Sequence, residues 1–536
     1  MVIIYLHSVG QPRLPEKIMK EVNIMRKTFS LILSVIMVLS LFTVGAFAAE
    51  GTAINSAEDF KNMTADGKYY LAADITVSET YAGTFTGTLD GNGKTVTVSA
   101  PMFEQMNGTV KNLTTAGKLE YTAAAADEKV YFGAVAKQAT AGVFEKVTNK
   151  ATITVTGATK EVCVGGICGR AMKGGATATK FVGCTNEAAI SSTEATGGIC
   201  GESQVSEEAT LFDGCYNKGN ITSSGTKSGV AAGGIVGYSG TAAITIKNCT
   251  NDGNITSGYR AGGIQGDARK AATISSCTNN GTVKAVECAG GIVAYSGDKG
   301  IKTGLSVTEC VNNGDVSGST KVAGITGYAW ASEAYGASVI KCINNGNITL
   351  GEAKKADGTL DQGYASEFLA YANSTTSIIK DCIGVGKLTA TGDTTNSHLA
   401  IISMSSADVA KYTVENLFIA DQGTTTHLSW TATEANAASI IELSAALGKN
   451  LEGSETVKAI TRGELNADFV AKANAAIGTG TFALNGNKVA FASSVPSGGG
   501  SSTPTGDVAA YVAVAAVAAV VILGAALVSK KRRIAE

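Results

Sequence analysis

Proline, histidine and charged residues are scarce in this chain. Proline occurs 5 times in 536 residues and charged residues make up 16 %, below the ~25 % usual in globular proteins. The 65 glycines with so little proline exclude collagen, and a hydrophobic fraction of 44 % excludes a solvated disordered chain. Only His398 and His427 follow residue 48, so His-based catalytic triads and His-rich metal sites are not expected.

The first 48 residues predict an upstream extension followed by a secretory signal peptide. Arg26 and Lys27 precede a long apolar run, and residues 46–48, AFA, form a cleavage site of the usual small-residue type. The residues before Met25 do not fit a signal peptide, so we expect translation to start naturally at Met25. The remaining chain is then extracellular.

The C-terminal end predicts a membrane anchor. Residues 493–507 form a Gly/Ser/Pro linker, residues 508–528 are uninterruptedly apolar, and residues 529–536 form a basic cytoplasmic tail. The apolar run is long enough to cross ~30 Å of hydrocarbon. The tail resembles a Gram-positive cell-wall sorting signal, with Pro504-Thr505-Gly506 in a motif that lacks the leading Leu of Leu-Pro-x-Thr-Gly. Sortase or the span itself would hold the protein at the membrane or cell wall.

The segment between these ends is acidic. Of the 43 basic and 45 acidic residues, nine basic and four acidic ones lie in residues 1–48 and 507–536. The remaining 34 basic and 41 acidic residues give a net charge of about −7. Such a surface gives no electrostatic reason to bind nucleic acid or another polyanion.

One phrase recurs through the middle of the chain: a Cys, an Asn two residues later, a Gly at the fifth place and an apolar residue six after the Cys. The intervals between these cysteines are 31, 34, 28, 33 and 32 residues, then 40. The six copies begin at Cys184, Cys215, Cys249, Cys277, Cys310 and Cys342, and all but the first have the Gly. Weaker copies begin at Val147 and Cys382.

A Gly-Gly-Ile phrase and a further apolar patch interleave with the cysteines, so three short strands fill one period. This predicts an all-β, right-handed parallel β-helix solenoid with a small α/β C-terminal cap, besides the signal peptide and transmembrane helix. A helical solenoid is disfavoured because each glycine would cost a helix ~1 kcal/mol. A β-propeller needs four strands in a longer repeat.

Equivalent residues of successive coils stack ~4.8 Å apart in such a fold. The cysteines are therefore predicted to form an interior ladder, since Cys behaves as a small buried hydrophobe. The Asn amides are predicted to hydrogen-bond from coil to coil at a turn, and the Gly at the fifth place to permit a left-handed conformation. Cys168 and Cys200, each after a Gly-Gly-Ile, are predicted to point outward and to form a surface disulfide.

The domain boundaries follow from these patterns. Residues 49–115 are predicted as N-terminal cap and first coils, residues 116–400 as repeat β-helix, and residues 401–492 as an α/β capping unit. Ser56 is expected to cap a short helix, and residues 90–93, DGNG, to turn between strands. A helix from Thr461 and a hairpin around Asn485-Gly486 are expected near the end.

These motifs carry a resemblance to a known family. Residues 85–98, FTGTLDGNGKTVTV, residues 102–114, MFEQMNGTVKNLT, and the repeated C-x-N-x-G-x-I and AGGIxG phrases resemble the GLUG-repeat surface proteins of Gram-positive bacteria, within the wider pectate-lyase-like β-helix group. The similarity covers roughly residues 52–390. It implies a right-handed parallel β-helix exposed on the cell and used in adhesion, with no shared catalytic residues.

A β-helix enzyme acting on polysaccharides would need carboxylates at one strand position in neighbouring coils. The candidates occupy different phases of the repeat: Asp213, Asp252, Asp267, Glu287, Glu309 and Asp315. No H-E-x-x-H motif occurs. The sequence therefore predicts no enzyme, no catalytic residue, no metal and no cofactor. A polysaccharide lyase or glycoside hydrolase on the same fold is the alternative, and a non-binding structural stalk is the second one.

Aromatic residues after the Gly-Gly-Ile strand are the candidates for ligand binding. Tyr238, Tyr295 and Tyr328 share one place in the repeat, and Trp330 follows the last of them. Aromatics that only shield a turn are the competing interpretation. The sequence predicts an adhesin or interaction protein on the extracellular face of a Gram-positive cell, with glycans or host surface molecules as partners.

Overall fold

Short β-branched segments between glycine-rich turns form strands, and each strand pairs in parallel with the equivalent segment of the next coil. The computed structural model describes residues 50–492, apart from residue 125 and residues 158–160, 173–176, 205–208, 241–242, 298–303, 331–335, 355–357, 373–375, 394–396, 403–412, 422–459 and 479–480. The described residues form an all-β parallel solenoid, as predicted. The predicted signal peptide, linker, membrane span and basic tail lie outside them.

Each coil contributes strands to three faces, which we name the Cys-Asn, Ile and Gly-Gly faces. The first strands of the Cys-Asn face are Thr52–Ile54, Lys68–Leu71, Thr88–Asp90, Thr109–Lys111, Val143–Glu145, Lys180–Val182, Thr210–Asp213, Ile244–Lys247, Ala272–Ser275, Leu305–Thr308, Ala337–Ile340, Ile378–Gly384, Thr413–Asp421 and Ile460–Glu464. Its two-residue strands are Thr148–Asn149, Thr185–Asn186, Tyr216–Asn217, Thr250–Asn251, Thr278–Asn279, Val311–Asn312 and Ile343–Asn344.

The other two faces complete the coil. The Ile face consists of Thr152–Gly157, Ile190–Ser192, Ile221–Ser223, Ile255–Ser257, Val283–Ala285, Val316–Gly318, Ile348–Leu350 and Leu388–Ala390, and it joins the Cys-Asn face through Ile75–Val77, Thr95–Val98 and Thr114–Ala123.

The Gly-Gly face has two arms per coil. Its first arms are Val130–Gly133, Val162–Gly165, Ala195–Gly197, Ala231–Gly233, Arg260–Gly262, Cys288–Gly290 and Lys321–Ala323. Its second arms are Tyr81–Phe85, Phe103–Met106, Ala136–Thr140, Cys168–Met172, Cys200–Ser203, Val236–Ser239, Gln265–Ala268, Val293–Ser296 and Thr326–Ala329. Gly363–Ala372 spans both arms, and Ser397–Ile402 pairs with it.

The core lies between the three faces and is built from stacked equivalents. Phe144, Phe181 and Phe212 stack with centroid distances of 4.9 and 4.7 Å and ring planes within 4°. Ile246 and Ile274 continue the same register position. Alternation along each strand places these side chains inside and their neighbours, such as Thr245, towards solvent.

A single left-handed residue precedes each position of the cysteine ladder and turns the chain between the two strands of the Cys-Asn face. Its φ lies between 51° and 62° in Lys146, Gly183, Gly214, Asn248, Ser276, Glu309, Lys341 and Asp381. Six of these eight residues are not glycine, and those six accept the strain of the left-handed region. The six predicted ladder cysteines follow these turns and are buried in the core.

The Asn residues of the repeat form a continuous buried ladder of hydrogen bonds, as predicted. Each Nδ2 donates to the carbonyl two residues later at 2.8–3.0 Å, and each except that of Asn344 donates to the Oδ1 of the next Asn at 2.6–2.8 Å. The members are Asn149, Asn186, Asn217, Asn251, Asn279, Asn312 and Asn344. They lie in strands, so the left-handed residue is the one before the Cys and not the Asn.

The glycines at the fifth place serve close stacking and not a left-handed turn, which corrects the sequence prediction. None of Gly219, Gly253, Gly281, Gly314 and Gly346 has a positive φ. A Cβ at Gly281 would lie 1.9 Å from the carbonyl oxygen of Gly253 in the preceding coil. At these five glycines the coils therefore approach too closely for a Cβ, whereas the two preceding coils have Ala151 and Ala188 at the same place.

The Asn ladder ends on a buried carboxyl group. Asn344 Nδ2 donates to Glu367 Oε2 at 2.6 Å, and the next coil has Gly384 where an Asn would stand. Glu367 fills that space, since a Cβ at Gly384 would lie 2.9 Å from its Oε2. Burial raises the pKa of Glu367 to about 8, and the bond from Asn344 opposes the rise only in part. Glu367 is therefore protonated at neutral pH.

We expect Glu367 to make stability fall as the pH rises from 5 to 8. An unfolded Glu ionises near pH 4.3, whereas the folded group keeps its proton up to about pH 8. Between these values the folded state binds more protons than the unfolded state, so a rise in pH lowers the free energy of unfolding. From pH 5 to pH 8 the total loss is on the order of 3 kcal/mol. Thermal unfolding of Glu367→Gln should show a flatter pH dependence than the native chain.

The exposed Glu309 provides the control. Glu309→Gln should leave the pH dependence of the native chain unchanged. Parallel curves for Glu367→Gln and the native chain would show that Glu367 is ionised in the fold.

The described C-terminal residues pack on the flank of the solenoid. The chain first forms strand Ile460–Glu464, which pairs with Thr413–Asp421. The predicted helix start at Thr461 was therefore wrong. The helix covers Ala467–Ile477, with Asn466 as its N-cap and Gly478 in the left-handed C-cap conformation, because Asn466 Oδ1 accepts from the Phe469 amide. The predicted hairpin forms from Phe482–Asn485 and Lys488–Phe491.

This helix, α2, and the hairpin cover apolar side chains at the middle position of the C-x-N phrase. Val311, Ile343 and Ile383 form a second core with Phe469 and Val489. In earlier coils the same position holds Thr185, Tyr216, Thr250 or Thr278. The switch from Thr or Tyr to Val or Ile is a sequence signal for this packing.

At the N-terminal end, helix α1, Ala57–Lys61, begins at the predicted cap, where Ser56 Oγ accepts from the Asp59 amide at 3.1 Å. The predicted turn joins Thr88–Asp90 to Thr95–Val98, with Asn92 and Gly93 at positive φ. Within the described ranges, neither helix has the length and apolarity needed to cross a bilayer.

Candidate functional site

Two rows of side chains meet along the Gly-Gly face. The second-arm row occupies one register position of consecutive coils: Gln105, Gln138, Arg170, Glu202, Tyr238, Asp267, Tyr295, Tyr328 and Tyr371. The first-arm row contains Tyr131, Cys163 and Ala195, then Ala231, Arg260, Cys288, Lys321 and Tyr364. Because the chain bends at Gly-Gly-Ile, side chains of the two arms contact each other.

This register corrects the expectation that the carboxylates are scattered. Glu202 and Asp267 occupy the same row, separated by Tyr238. Glu287 is brought to Asp267 by Arg260, which pairs with both. Segments of unequal length separate the strands, so counting positions from the cysteines did not reveal the shared row. Pairing the residues that follow each Gly-Gly-Ile would have revealed it.

The Arg170 cluster lies at one end of the rows. Arg170 Nε lies 3.0 Å from Glu202 Oε2, and its Nη1 lies 3.4 Å from Glu161 Oε1 and donates to the Tyr131 hydroxyl. Cys163 Sγ donates to Glu202 Oε2 at 3.1 Å. Glu202 is 2 % exposed, so this is a largely buried network of opposite charges.

The two carboxyl groups of the Arg170 cluster have different proton affinities. Burial raises the pKa of Glu202 to about 7, although Arg170 opposes the rise. Burial also disfavours ionised Glu161, but Lys129, Glu202 and Arg170 together hold the pKa of Glu161 below its ordinary value. Two carboxyl groups whose pKa values are displaced in opposite directions can act as acid and base. Because Glu202 is buried, a substrate would reach it only after neighbouring side chains moved.

The same cluster brings together a ligand set that the sequence analysis did not expect. One ligand atom from each of Glu161, Cys163 and Glu202 lies within 4.8 Å of the others. Thiolate and carboxylate are ligands of zinc-type ions. Arg170 already neutralises these carboxylates, and burial raises the pKa of the Cys163 thiol, so the donor set does not fit a metal in this arrangement.

The Arg260 cluster follows along the rows. Arg260 Nη1 lies 2.5 Å from Asp267 Oδ2 and its Nε 3.2 Å from Glu287 Oε2, while Arg269 Nε lies 2.9 Å from Asp267 Oδ1. The Arg260 guanidinium packs 3.6 Å from the ring centroid of Tyr295. Asp267 is fully buried. Its burial raises the pKa of Asp267 above its ordinary value, although both arginines oppose the rise.

The aromatic patch, formed by Lys321, Tyr328, Trp330, Tyr364 and Tyr371, lies at the other end. The rings of Tyr328 and Trp330 are parallel within 3° at a centroid distance of 6.2 Å, and Tyr371 meets Tyr328 edge-on at 5.1 Å. Tyr364 lies 4.8 Å from Tyr371. Tyr328, Trp330, Tyr371 and Lys321 are each partly exposed, so a ligand can contact this patch.

The predicted ligand residues are only partly brought together. Tyr295, Tyr328 and Trp330 are neighbours, but Asp267 lies between Tyr238 and Tyr295 in the row. Tyr295 is 1 % exposed, so the expectation that it lies on the surface was wrong. Tyr371 completes the row and was missed because its strand, Gly363–Ala372, lacks the Gly-Gly-Ile phrase.

The predicted cysteine ladder is made of buried thiols. The Sγ–H groups donate to backbone carbonyls, as Cys215 does to Phe181 at 3.4 Å and Cys249 to Lys247 at 3.2 Å. Burial raises the pKa of the Cys184, Cys249 and Cys342 thiols well above the ordinary range. Burial also disfavours ionised Cys215 and Cys310, but hydrogen bonds from neighbouring cysteines and backbone amides instead lower the pKa of these two thiols. All six thiols are buried in the core, so they serve packing.

Cys168 and Cys200 are in register in adjacent coils, as predicted, but they point into the core and not outward. The bend at Gly-Gly-Ile breaks the alternation of the strand, so both the Ile and the Cys after it are buried. The structure holds the two as free thiols. A disulfide at this position would lie inside the solenoid.

A cavity of about 580 Å³ lies apart from these rows, between helix α1 and residues 77–82. Phe60, Met63 and Tyr81 line it, and the ion pair of Lys61 with Glu79 lies at its edge.

No protein-family model matches the chain, and no curated protein matches it. Among solved structures, the chain is similar to the crystal structure of a putative immunoglobulin A1 protease from Bacteroides ovatus, with 16 % identity and a TM-score of 0.31 over 61 % of this chain and 86 % of that one. It is also similar to a protein named IgA1 protease, with 18 % identity and a TM-score of 0.31 over 57 % of this chain and 22 % of that one.

The prediction that the chain is not an enzyme is contradicted by these names, since both structures are called immunoglobulin A1 proteases. The prediction also rested on scattered carboxylates, and two of those six, Asp267 and Glu287, are brought together by Arg260. At this identity and TM-score the likeness assigns no catalytic residue to this chain.

Proposed function

We propose that this chain is a surface-displayed adhesin of the GLUG-repeat type that binds glycans through its aromatic patch. The observation that carries the proposal is the partly exposed pair of parallel rings, Tyr328 and Trp330, with Tyr371 beside it. The apolar face of a sugar ring packs on such rings, and the hydroxyls remain free for polar contacts.

The ends of the chain support the proposed location. A signal peptide in residues 1–48 would export the solenoid, and residues 508–528, with sortase acting at Pro504-Thr505-Gly506 or without it, would hold it at the membrane or wall of a Gram-positive cell. The glycan or host molecule would then meet the Gly-Gly face from outside the cell.

Removing two rings of the patch should weaken glycan retention. We expect Tyr328→Ala/Tyr371→Ala to weaken binding about 5- to 150-fold, because aromatic contacts contribute roughly 0.5–1.5 kcal/mol each. The purified full-length chain is passed over immobilised host and plant glycans with Ca²⁺, and both retained protein and released sugar are measured.

Tyr216→Ala is the matched control, because Tyr216 is a partly exposed tyrosine on the Cys-Asn face. It should bind like the native chain, and thermal unfolding should show that the double variant is folded. Full retention by a folded double variant would exclude the aromatic patch as the binding site.

Glycan cleavage is a second candidate function, favoured by the Glu161–Glu202 pair with pKa values displaced in opposite directions. Release of sugar in the same experiment would support it. Retention of protein without release would support the adhesin alone.

A further inference from the structure

The two rows of the Gly-Gly face contain three cations, and two of them are already paired with carboxylates. Arg170 pairs with Glu161 and Glu202, and Arg260 pairs with Asp267 and Glu287. Within the part of the chain that the structure describes, no carboxylate forms an ion pair with the third, Lys321. Lys321 is thus the cation of these rows that is left for a ligand.

The surroundings of Lys321 are aromatic. Its Nζ lies 5.2 Å from the ring centroid of Tyr328 and 5.6 Å from that of Tyr371. In register, Lys321 lies between Cys288 and Tyr364. The ammonium group carries three donors and no acceptor. A ligand whose sugar ring packs on Tyr328 would therefore bring its substituents to a positive charge.

We infer that the glycan bound at the aromatic patch carries a single carboxylate, which pairs with Lys321 while the sugar ring packs on Tyr328 and Trp330. This inference rests on the proposed function and names its ligand class. Among the described residues of the aromatic patch, Lys321 is the one ammonium group, so one carboxylate is matched. The net charge of about −7 between the two ends would repel a polyanion.

The test compares one sugar with and without its charge. The purified full-length chain is titrated calorimetrically with 3′-sialyllactose, which carries one carboxylate, with its methyl ester, and with lactose. We expect the acid to bind at least about tenfold more tightly than the ester, because a charge-assisted bond between ammonium and carboxylate is lost on esterification.

Variants of Lys321 locate the effect. Lys321→Gln should remove the preference for the acid over the ester, whereas Lys321→Arg should keep the preference. Lys284→Gln, at an exposed lysine of the Ile face, should behave like the native chain. Loss of the preference in Lys284→Gln as well would overturn the assignment to Lys321.

The possible failures are distinguishable. Equal binding of acid and ester by the native chain would overturn this inference and leave glycan binding intact. No binding of any of the three sugars, with none retained on the immobilised glycans, would overturn the proposed function and the inference with it.

Discussion

Asn279→Ala should lower the free energy of unfolding by about 3–5 kcal/mol, because it interrupts the buried Asn ladder in the middle. Asn279 Oδ1 accepts from Asn251 Nδ2 at 2.7 Å, and Asn279 Nδ2 donates to Asn312 Oδ1 at 2.8 Å and to the Gly281 carbonyl at 2.9 Å. All three partners would lose a buried hydrogen bond at once. Urea unfolding of the purified chain measures the loss.

The adjacent residue gives the matched control. Asn280 is exposed and also bonds from coil to coil, since its Nδ2 donates to Asp252 Oδ1 at 2.7 Å and its Oδ1 accepts from Asn313. Water can replace these bonds, so Asn280→Ala should cost less than about 1 kcal/mol. Equal losses in the two variants would mean that burial of the ladder does not contribute to stability.

Gly281→Ala should destabilise the solenoid by about 3 kcal/mol or more. The new Cβ would lie 1.9 Å from the Gly253 carbonyl oxygen and 2.6 Å from its carbonyl carbon. Both atoms belong to the backbone of the neighbouring coil, so the clash is relieved only by separating two paired strands. The midpoint of thermal or urea unfolding should fall, and the yield of folded protein with it.

Gly229 distinguishes this close approach from the effect of any alanine at a turn. Gly229 has a φ of 96°, and nothing lies within 4 Å of its Cβ position. Gly229→Ala should therefore cost only the strain of the left-handed region, about 1–2 kcal/mol. If Gly281→Ala is no more harmful than Gly229→Ala, the coils can separate at this turn.

The repeat itself was predictable from the sequence. The recurring Cys, Asn and Gly-Gly-Ile predicted a parallel solenoid, a buried cysteine series and Asn amides bonded between coils. The three strands expected in each period are five short strands on three faces, because turns divide the Cys-Asn and Gly-Gly faces. The prediction succeeds because each coil repeats the same sequence pattern, so equivalent side chains of neighbouring coils stack in register. The signal peptide, the membrane span and the sorting motif stay predictions.

The candidate site was less predictable, because it depends on where the chain bends. Cys168 and Cys200 were expected outside, but the bend at Gly-Gly-Ile turns them inward. Tyr295 was expected on the surface, but Arg260 covers its ring. Tyr371 was missed since it lies in a strand without the repeat phrase. Each of these outcomes follows from contacts between residues about 30 or more positions apart.

The sequence by itself determined the period, the identity of the stacked residues and the positions of the short helix α1 and the hairpin, since these depend on neighbours in the chain and on the next copy of the same phrase. Only the tertiary structure decided which charged and aromatic residues share a row on the Gly-Gly face. The segments between strands differ in length, so the pairing of backbone hydrogen bonds, and not the spacing in the sequence, brings Glu202, Asp267 and Tyr328 into one register.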